Sequence, residues 1–154
     1  MALKEQIQND LKAALLGGDR FAGETLRGLK AAILNEEVAQ GKRDEGLEDA
    51  DIEKIVAREV KKRQESATLY EDNGRAESAA DERREAEIIS AYLPQQLSET
   101  EIQEVVTTTI DEMGATGMQS MGMVIGAVKQ KVGNTADGAT VARLVKQALA
   151  EQLT

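Results

Sequence analysis

Apolar side chains recur along this chain every three or four residues, the period of an amphipathic α-helix, in seven successive stretches. Leu3, Ile7, Leu11 and Leu15 mark a first helix over 3–16, which Gly17-Gly18-Asp19 ends. Leu26, Leu29, Ile33 and Leu34 give a second over 22–40, followed by a polar loop with two glycines over 41–49. A third runs over 51–72, with Ile52, Ile55, Val56, Val60, Ala67 and Tyr70 on one face. Asp49 or Asp51 is suited to cap its start, and Asn73-Gly74 to stop it. The fourth spans 77–93. Pro94 disfavours helical backbone at Leu93, so a boundary falls there.

The pattern then restarts. Ser98-Glu99-Thr100-Glu101 has the form of a capping box, in which the serine hydroxyl accepts from the N–H of Glu101 and the glutamate reaches back. Ile102, Val105, Val106, Ile110 and Met113 follow at helical spacing. After Gly114 and Gly117 a sixth helix covers 119–132, with Met121, Val124, Ile125, Val128 and Val132 inward. A turn over 133–138 leads to a seventh over 139–152, with Val141, Leu144, Val145, Ala148 and Leu149 inward. The expected fold is all-α: an N-terminal four-helix unit over 1–93, then a small three-helix unit over 94–154, near the lower size limit for independent folding.

Composition sharpens this. Only Phe21, Tyr70 and Tyr92 are aromatic, so the core is aliphatic, which suits helix-on-helix packing. The net charge is −9, both halves being acidic, which argues against a protein that coats nucleic acid non-specifically. Histidine and cysteine are absent, which removes thiol nucleophiles, imidazole acid–base catalysis, thiolate or imidazole zinc sites and disulfides. No carboxylate pair, activated lysine, phosphate-binding loop or dinucleotide fingerprint stands out. No catalytic residue, metal or cofactor is therefore expected. The charged N-terminus and the lack of any apolar run near the roughly 20 residues of a membrane span point to a cytoplasmic protein without a membrane partner.

Four constellations remain. Glu59 and Arg63 fall on the apolar stripe of the third helix, and Lys30 and Glu37 on that of the second, at about 100° per residue. Buried charge demands pairing, so Lys30 with Glu59 and Glu37 with Arg63 are the expected inter-helix pairs. The functional alternative is a polar cleft between those helices that takes a protein partner. Lys54, Arg58, Lys61, Lys62 and Arg63 form a basic run of which Lys54, Arg58 and Lys61 lie opposite the core, a solvated face or a strip for phosphates. Gly122, Gly126 and Gly133 share one flank of the sixth helix with Lys129. Each glycine inside a helix costs about 0.8–1 kcal/mol relative to alanine, so something should approach that flank: another helix of the fold, or a nucleic-acid backbone with Lys129 on a phosphate. Asp137 is expected to cap the seventh helix rather than leave its N–H groups to an anion.

Several segments together resemble the YqeY-like family, related to the C-terminal tail of the B subunit of tRNA-dependent Glu/Asp amidotransferases. They are Arg27-Gly28-Leu29-Lys30 through Asn35-Glu36, Lys62-Arg63-Gln64-Glu65-Ser66 with Tyr70, and Gly74-Arg75. Tyr92-Leu93-Pro94-Gln95-Gln96-Leu97-Ser98, Met121-Gly122 with Gly126, and Asp137-Gly138 continue the likeness, the Tyr-Leu-Pro-Gln-Gln-Leu junction being its most specific piece. The resemblance implies association with tRNA and with glutamine-dependent carbon–nitrogen ligase activity, whose chemistry lies in a separate catalytic domain that nothing here resembles. It makes this chain a non-catalytic accessory module whose partner is tRNA or a tRNA-amidating enzyme. Gly122, Gly126, Lys129, Lys131, Arg143 and Lys146 are the candidate RNA contacts. A helical adaptor using Lys30, Glu37, Glu59 and Arg63 is the rival.

Overall fold

A computed structural model describes residues 2–152. Among them the fold is all-α: α1 (Leu3–Leu16), α2 (Arg20–Ala39), α3 (Asp49–Asp72), α4 (Ala76–Ser90), α5 (Glu99–Met113), α6 (Met121–Val132) and α7 (Gly138–Glu151), with 3-10 turns at Met118–Ser120 and Gly133–Thr135. The chain divides into two compact units, one up to Leu93 and one from Pro94.

In the first unit, α1, α2 and α3 bring Ile7, Leu11, Leu26, Leu29, Ile33, Ile52, Ile55 and Val56 into one cluster, closed by Leu47, Ile89 and Tyr92. At the far half of α3 the core narrows to alanine. Ala67, Ala79 and Ala86 are buried, so α3 and α4 approach closely with little side-chain volume between them. Arg83 of α4 spans this hairpin to Glu71 of α3 at 2.6 Å.

Three expectations need correcting here. Neither Asp49 nor Asp51 caps α3, whose N-cap is Glu48 without a side-chain bond. Asp49 instead accepts from the backbone N–H of Leu3 at 3.1 Å, tying α3 to the start of α1. The fourth helix stops at Ser90 rather than 93, because turns through Tyr92 and Leu93 take over ahead of Pro94 and drop Tyr92 into the core. Leu34 was expected inward but is 43% exposed.

In the second unit the core is wholly aliphatic, formed by Ile102, Val106 and Ile110 of α5, Val124, Val128 and Val132 of α6, and Val141, Leu144, Val145 and Leu149 of α7. The capping box forms as the sequence indicates: Glu101 N donates to Ser98 Oγ and Ser98 N to Glu101 Oε1, each at 3.1 Å. The Ser98 N–H donated to its carboxylate, with the Ser98 hydroxyl second, holds the exposed Glu101 carboxyl below its ordinary value. Asp137 caps α7, accepting from the N–H groups of Ala139 and Thr140. The junction ahead of α5 packs against this unit too. Leu97 N donates to Thr135 O at 2.8 Å, and Gln96 Nε2 to Asn134 O at 2.9 Å.

Candidate functional site

The charged residues of the N-terminal unit pair otherwise than the helical faces suggest. Glu37 is 1% exposed, but its partner is Lys4 of α1, whose ammonium lies 2.8 Å from Oε2 and 3.1 Å from Oε1. The same carboxylate accepts from Leu47 N at 3.2 Å, so one buried anion holds α1, α2 and the loop before α3. Arg63 stays on its own side. It donates to Glu59 O at 3.2 Å and lies 3.8 Å from the Glu59 carboxylate and 3.9 Å from that of Glu85 on α4. Its guanidinium rests against Gly28 of α2, where a Cβ would lie 3.7 Å from it. Burial raises the Glu85 carboxyl above its ordinary value, helped by neighbouring Glu82 and opposed by Arg63.

The expected pairs Lys30–Glu59 and Glu37–Arg63 therefore do not form. Lys30 is exposed, and Glu37 is committed to α1. A helical wheel shows which residues face inward but not which helix meets them, and α1 was the missing neighbour. Lys4 carried no signal as a buried-charge partner, since it lies near the chain start among other charges. On the outer face of α3, Arg58 reaches Glu36 at 3.6 Å and Lys62 reaches Glu59 at 3.9 Å, while Lys54 and Lys61 are exposed.

The glycine flank of α6 takes the opposite form. A Cβ added at Gly122 or Gly126 would meet nothing within 4 Å among the described residues, so neither α5 nor α7 packs there. The expectation of a second helix of the fold against this flank is overturned: α5 and α7 cover the valine face instead. Met123 stands beside the glycines, 71% exposed. No acidic residue occurs anywhere in α6. Its charged side chains, Lys129 and Lys131, are both basic, in a protein of net charge −9.

The candidate cations are spread over α6 and α7. Lys129 folds back over the start of α7, its ammonium 3.3 Å from where a Cβ on Gly138 would sit. Lys131 turns to α5, donating to Glu112 at 2.8 Å and Thr109 Oγ1 at 2.9 Å. Arg143 pairs with Glu99 of α5. Lys146 is exposed on α7. Lys129 and Lys146 thus have no ion-pair partner among the described residues, whereas Lys131 and Arg143 are partly neutralised. Among those residues no three His, Cys, Asp or Glu side chains gather to hold a metal, and no helix is long and apolar enough to cross a membrane.

Comparison with known proteins supplies the context. A family model described as Yqey-like protein matches residues 4–149. The chain is 29% identical over 116 residues to altered inheritance of mitochondria protein 41, mitochondrial, of Clavispora lusitaniae, a match covering 74% of this chain and 66% of that protein. It is 32% identical over 110 residues to the protein of that name from Lachancea thermotolerans, covering 70% and 57% of the two. For the Eremothecium gossypii protein of that name the identity is 33% over 87 residues, covering 56% and 46%. The chain therefore spans about half to two thirds of the length of these relatives. Their mitochondrial names overturn the cytoplasmic location expected from the sequence.

Proposed function

The chain belongs to the YqeY-like family, and from that premise we propose that it is a non-catalytic helical module that binds tRNA in the service of glutamine-dependent tRNA amidation. The observation that carries the reading is the open glycine face of α6. Gly122 and Gly126 weaken their helix and meet nothing within 4 Å among the described residues, which leaves this face free for a contact from another molecule. A sugar–phosphate backbone fits, because it lies close against peptide surface that carries no side chain. Lys129 and Lys146 are the candidate cations left without an ion-pair partner among the described residues, and α6 adds no carboxylate to repel a phosphate. The likeness of the second unit to the tail of the amidotransferase B subunit supports tRNA as the nucleic acid. The chain would serve the carbon–nitrogen ligase reaction by holding the RNA, since it lacks the thiol and imidazole side chains that such chemistry commonly uses.

A tRNA titration at about 50 mM and about 200 mM salt tests this, since each phosphate contact steepens the salt dependence. Binding is expected at the lower concentration and to weaken about tenfold or more at the higher. Lys129→Glu with Lys146→Glu should abolish it while leaving the melting temperature unchanged. No binding at the lower concentration would remove the proposal.

A further inference from the structure

A cavity of about 550 Å³ opens at the turn between α3 and α4, within the N-terminal unit. Its size falls in the range of roughly 300–1,000 Å³ typical of small-molecule sites. Ser66, Leu69, Tyr70, Asn73 and Arg75 line it. The first four are spaced three, four and seven residues apart and so share one face of the end of α3. The space begins where the core of the hairpin runs out, since Ala67 is the last buried residue of α3 and Ala79 the first of α4.

The backbone of the wall is held in place. Gly74, at φ 73°, turns the chain, and Arg75 N donates back to Tyr70 O at 2.8 Å. Asn73 Nδ2 donates to Leu69 O at 2.7 Å, which leaves the amide oxygen as an acceptor. The remaining polar ends are uncommitted. The Ser66 hydroxyl, the Tyr70 hydroxyl and the Arg75 guanidinium have no hydrogen-bond or ion-pair partner among the described residues. The acids adjoining them in sequence are Glu65, Glu71, Asp72 and Glu77. None of these lines the cavity, and Glu71 is held by Arg83 at 2.6 Å. One guanidinium and two hydroxyls thus share a space with no carboxylate in its wall, while Tyr70 and Leu69, the latter 64% exposed, supply apolar surface.

We propose that this cavity binds a phosphomonoester carrying a flat ring, of the class of a nucleoside monophosphate. The planar fork of Arg75 takes two phosphate oxygens, and the hydroxyls of Ser66 and Tyr70 donate to the phosphate as well. The ring lies against Tyr70 and Leu69. The Asn73 amide oxygen accepts from an amino or hydroxyl group of the ligand. A cationic ligand would be repelled by Arg75, and a neutral one would leave the guanidinium without a counter-charge. A carboxylate brings two oxygens to these donors where a phosphate brings three. A free nucleotide and the phosphorylated end of an RNA chain present the same groups.

The experiment titrates the full, nitrogen-15-labelled chain with adenosine 5′-monophosphate and follows the backbone amides by NMR. Inorganic phosphate, adenosine and benzoate are the comparison probes, at matched ionic strength. The nucleotide should shift the amides of residues 66–75 saturably. Phosphate alone and adenosine alone should each bind about tenfold or more weakly, since each engages only part of the wall. Arg75→Gln should weaken nucleotide binding about tenfold or more with the melting temperature unchanged, because Arg75 is exposed. Ser66→Ala should weaken it about threefold. Lys129→Glu with Lys146→Glu should leave it unchanged, so this site and the α6 face stand or fall separately. A 5′-phosphorylated trinucleotide that binds more tightly than the mononucleotide assigns the site to an RNA end, and equal or weaker binding assigns it to the free nucleotide. The absence of saturable shifts at millimolar nucleotide, shifts that Arg75→Gln leaves intact, or benzoate binding as tightly as the nucleotide overturns the proposal.

Discussion

The two units of this chain solve the same packing problem in different ways. The N-terminal unit puts charge into its interior: Glu37 and Glu59 are buried beside aliphatic side chains, and Tyr92 donates its hydroxyl to Asp10 at 2.5 Å. Burial and that bond raise the Tyr92 hydroxyl well above its ordinary value. Among the described residues the C-terminal unit buries a single polar side chain, Thr109, which donates to Val105 O in its own helix and accepts from Lys131. Charge inside a core is unforgiving, because each group must find its partner, and it fixes which helix lies beside which. An aliphatic core asks only for volume and shape. The first unit thus uses specific partners to arrange four helices of unequal length. The second, with three, relies on packing and caps and leaves a glycine face of α6 that neither α5 nor α7 covers.

The comparison breaks most severely where packing is the only resource. Leu149→Ala, at a fully buried position of the small aliphatic core, should cost about 2–5 kcal/mol. Hydrogen exchange read by mass spectrometry should show α5–α7 losing protection while α1–α4 keep theirs. Next comes the buried charge. Lys4→Ala leaves the Glu37 carboxylate with Leu47 N as its remaining partner and should cost about 2 kcal/mol in urea unfolding. The joint change Lys4→Met with Glu37→Leu should recover much of that loss, since neither charge is then stranded. If the single and joint variants are equally destabilised, the pair is not what orders this unit.

Smaller effects sharpen the picture of the second unit. Ser98→Ala removes a cap and should cost about 1 kcal/mol, lowering the melting temperature. The Glu101 carboxyl is depressed in the folded state below its ordinary 4.5, so its contribution is complete above that pH and fades as the pH falls through the folded value. An acid titration of the Ser98→Ala variant should show this step diminished. Smallest and opposite in sign is Gly126→Ala. A methyl there meets nothing within 4 Å, so the change should stabilise by about 0.5–1 kcal/mol. A more stable variant that binds tRNA less well would separate the function of the glycine from its structural cost.

How much of this was legible in the sequence follows the same division. Periodicity located all seven helices, and the C-terminal unit read almost directly. Val124, Val128 and Val132, the Ser98 box and the Asp137 cap each depend only on residues within a few positions of one another. The N-terminal unit read less well because its decisive contacts are distant in sequence. Lys4 with Glu37, Leu3 with Asp49 and Tyr92 with Asp10 join residues 33, 46 and 82 positions apart, and no local spacing encodes them. The glycines of α6 were visible as an anomaly. That they face open space depends on where α5 and α7 lie, and one helix's pattern does not contain that.

One detail bears on how the second unit should be cut out for study. Its first regular element begins at Glu99, yet Leu97 and Gln96 already bond back to the turn before α7, at Thr135 and Asn134. Scissors placed at the helix start would discard those two clasps and strip the Thr135 carbonyl of its donor. An excised fragment that keeps Pro94 to Leu97 retains its buckle, and its melting curve is the one worth comparing with the intact chain.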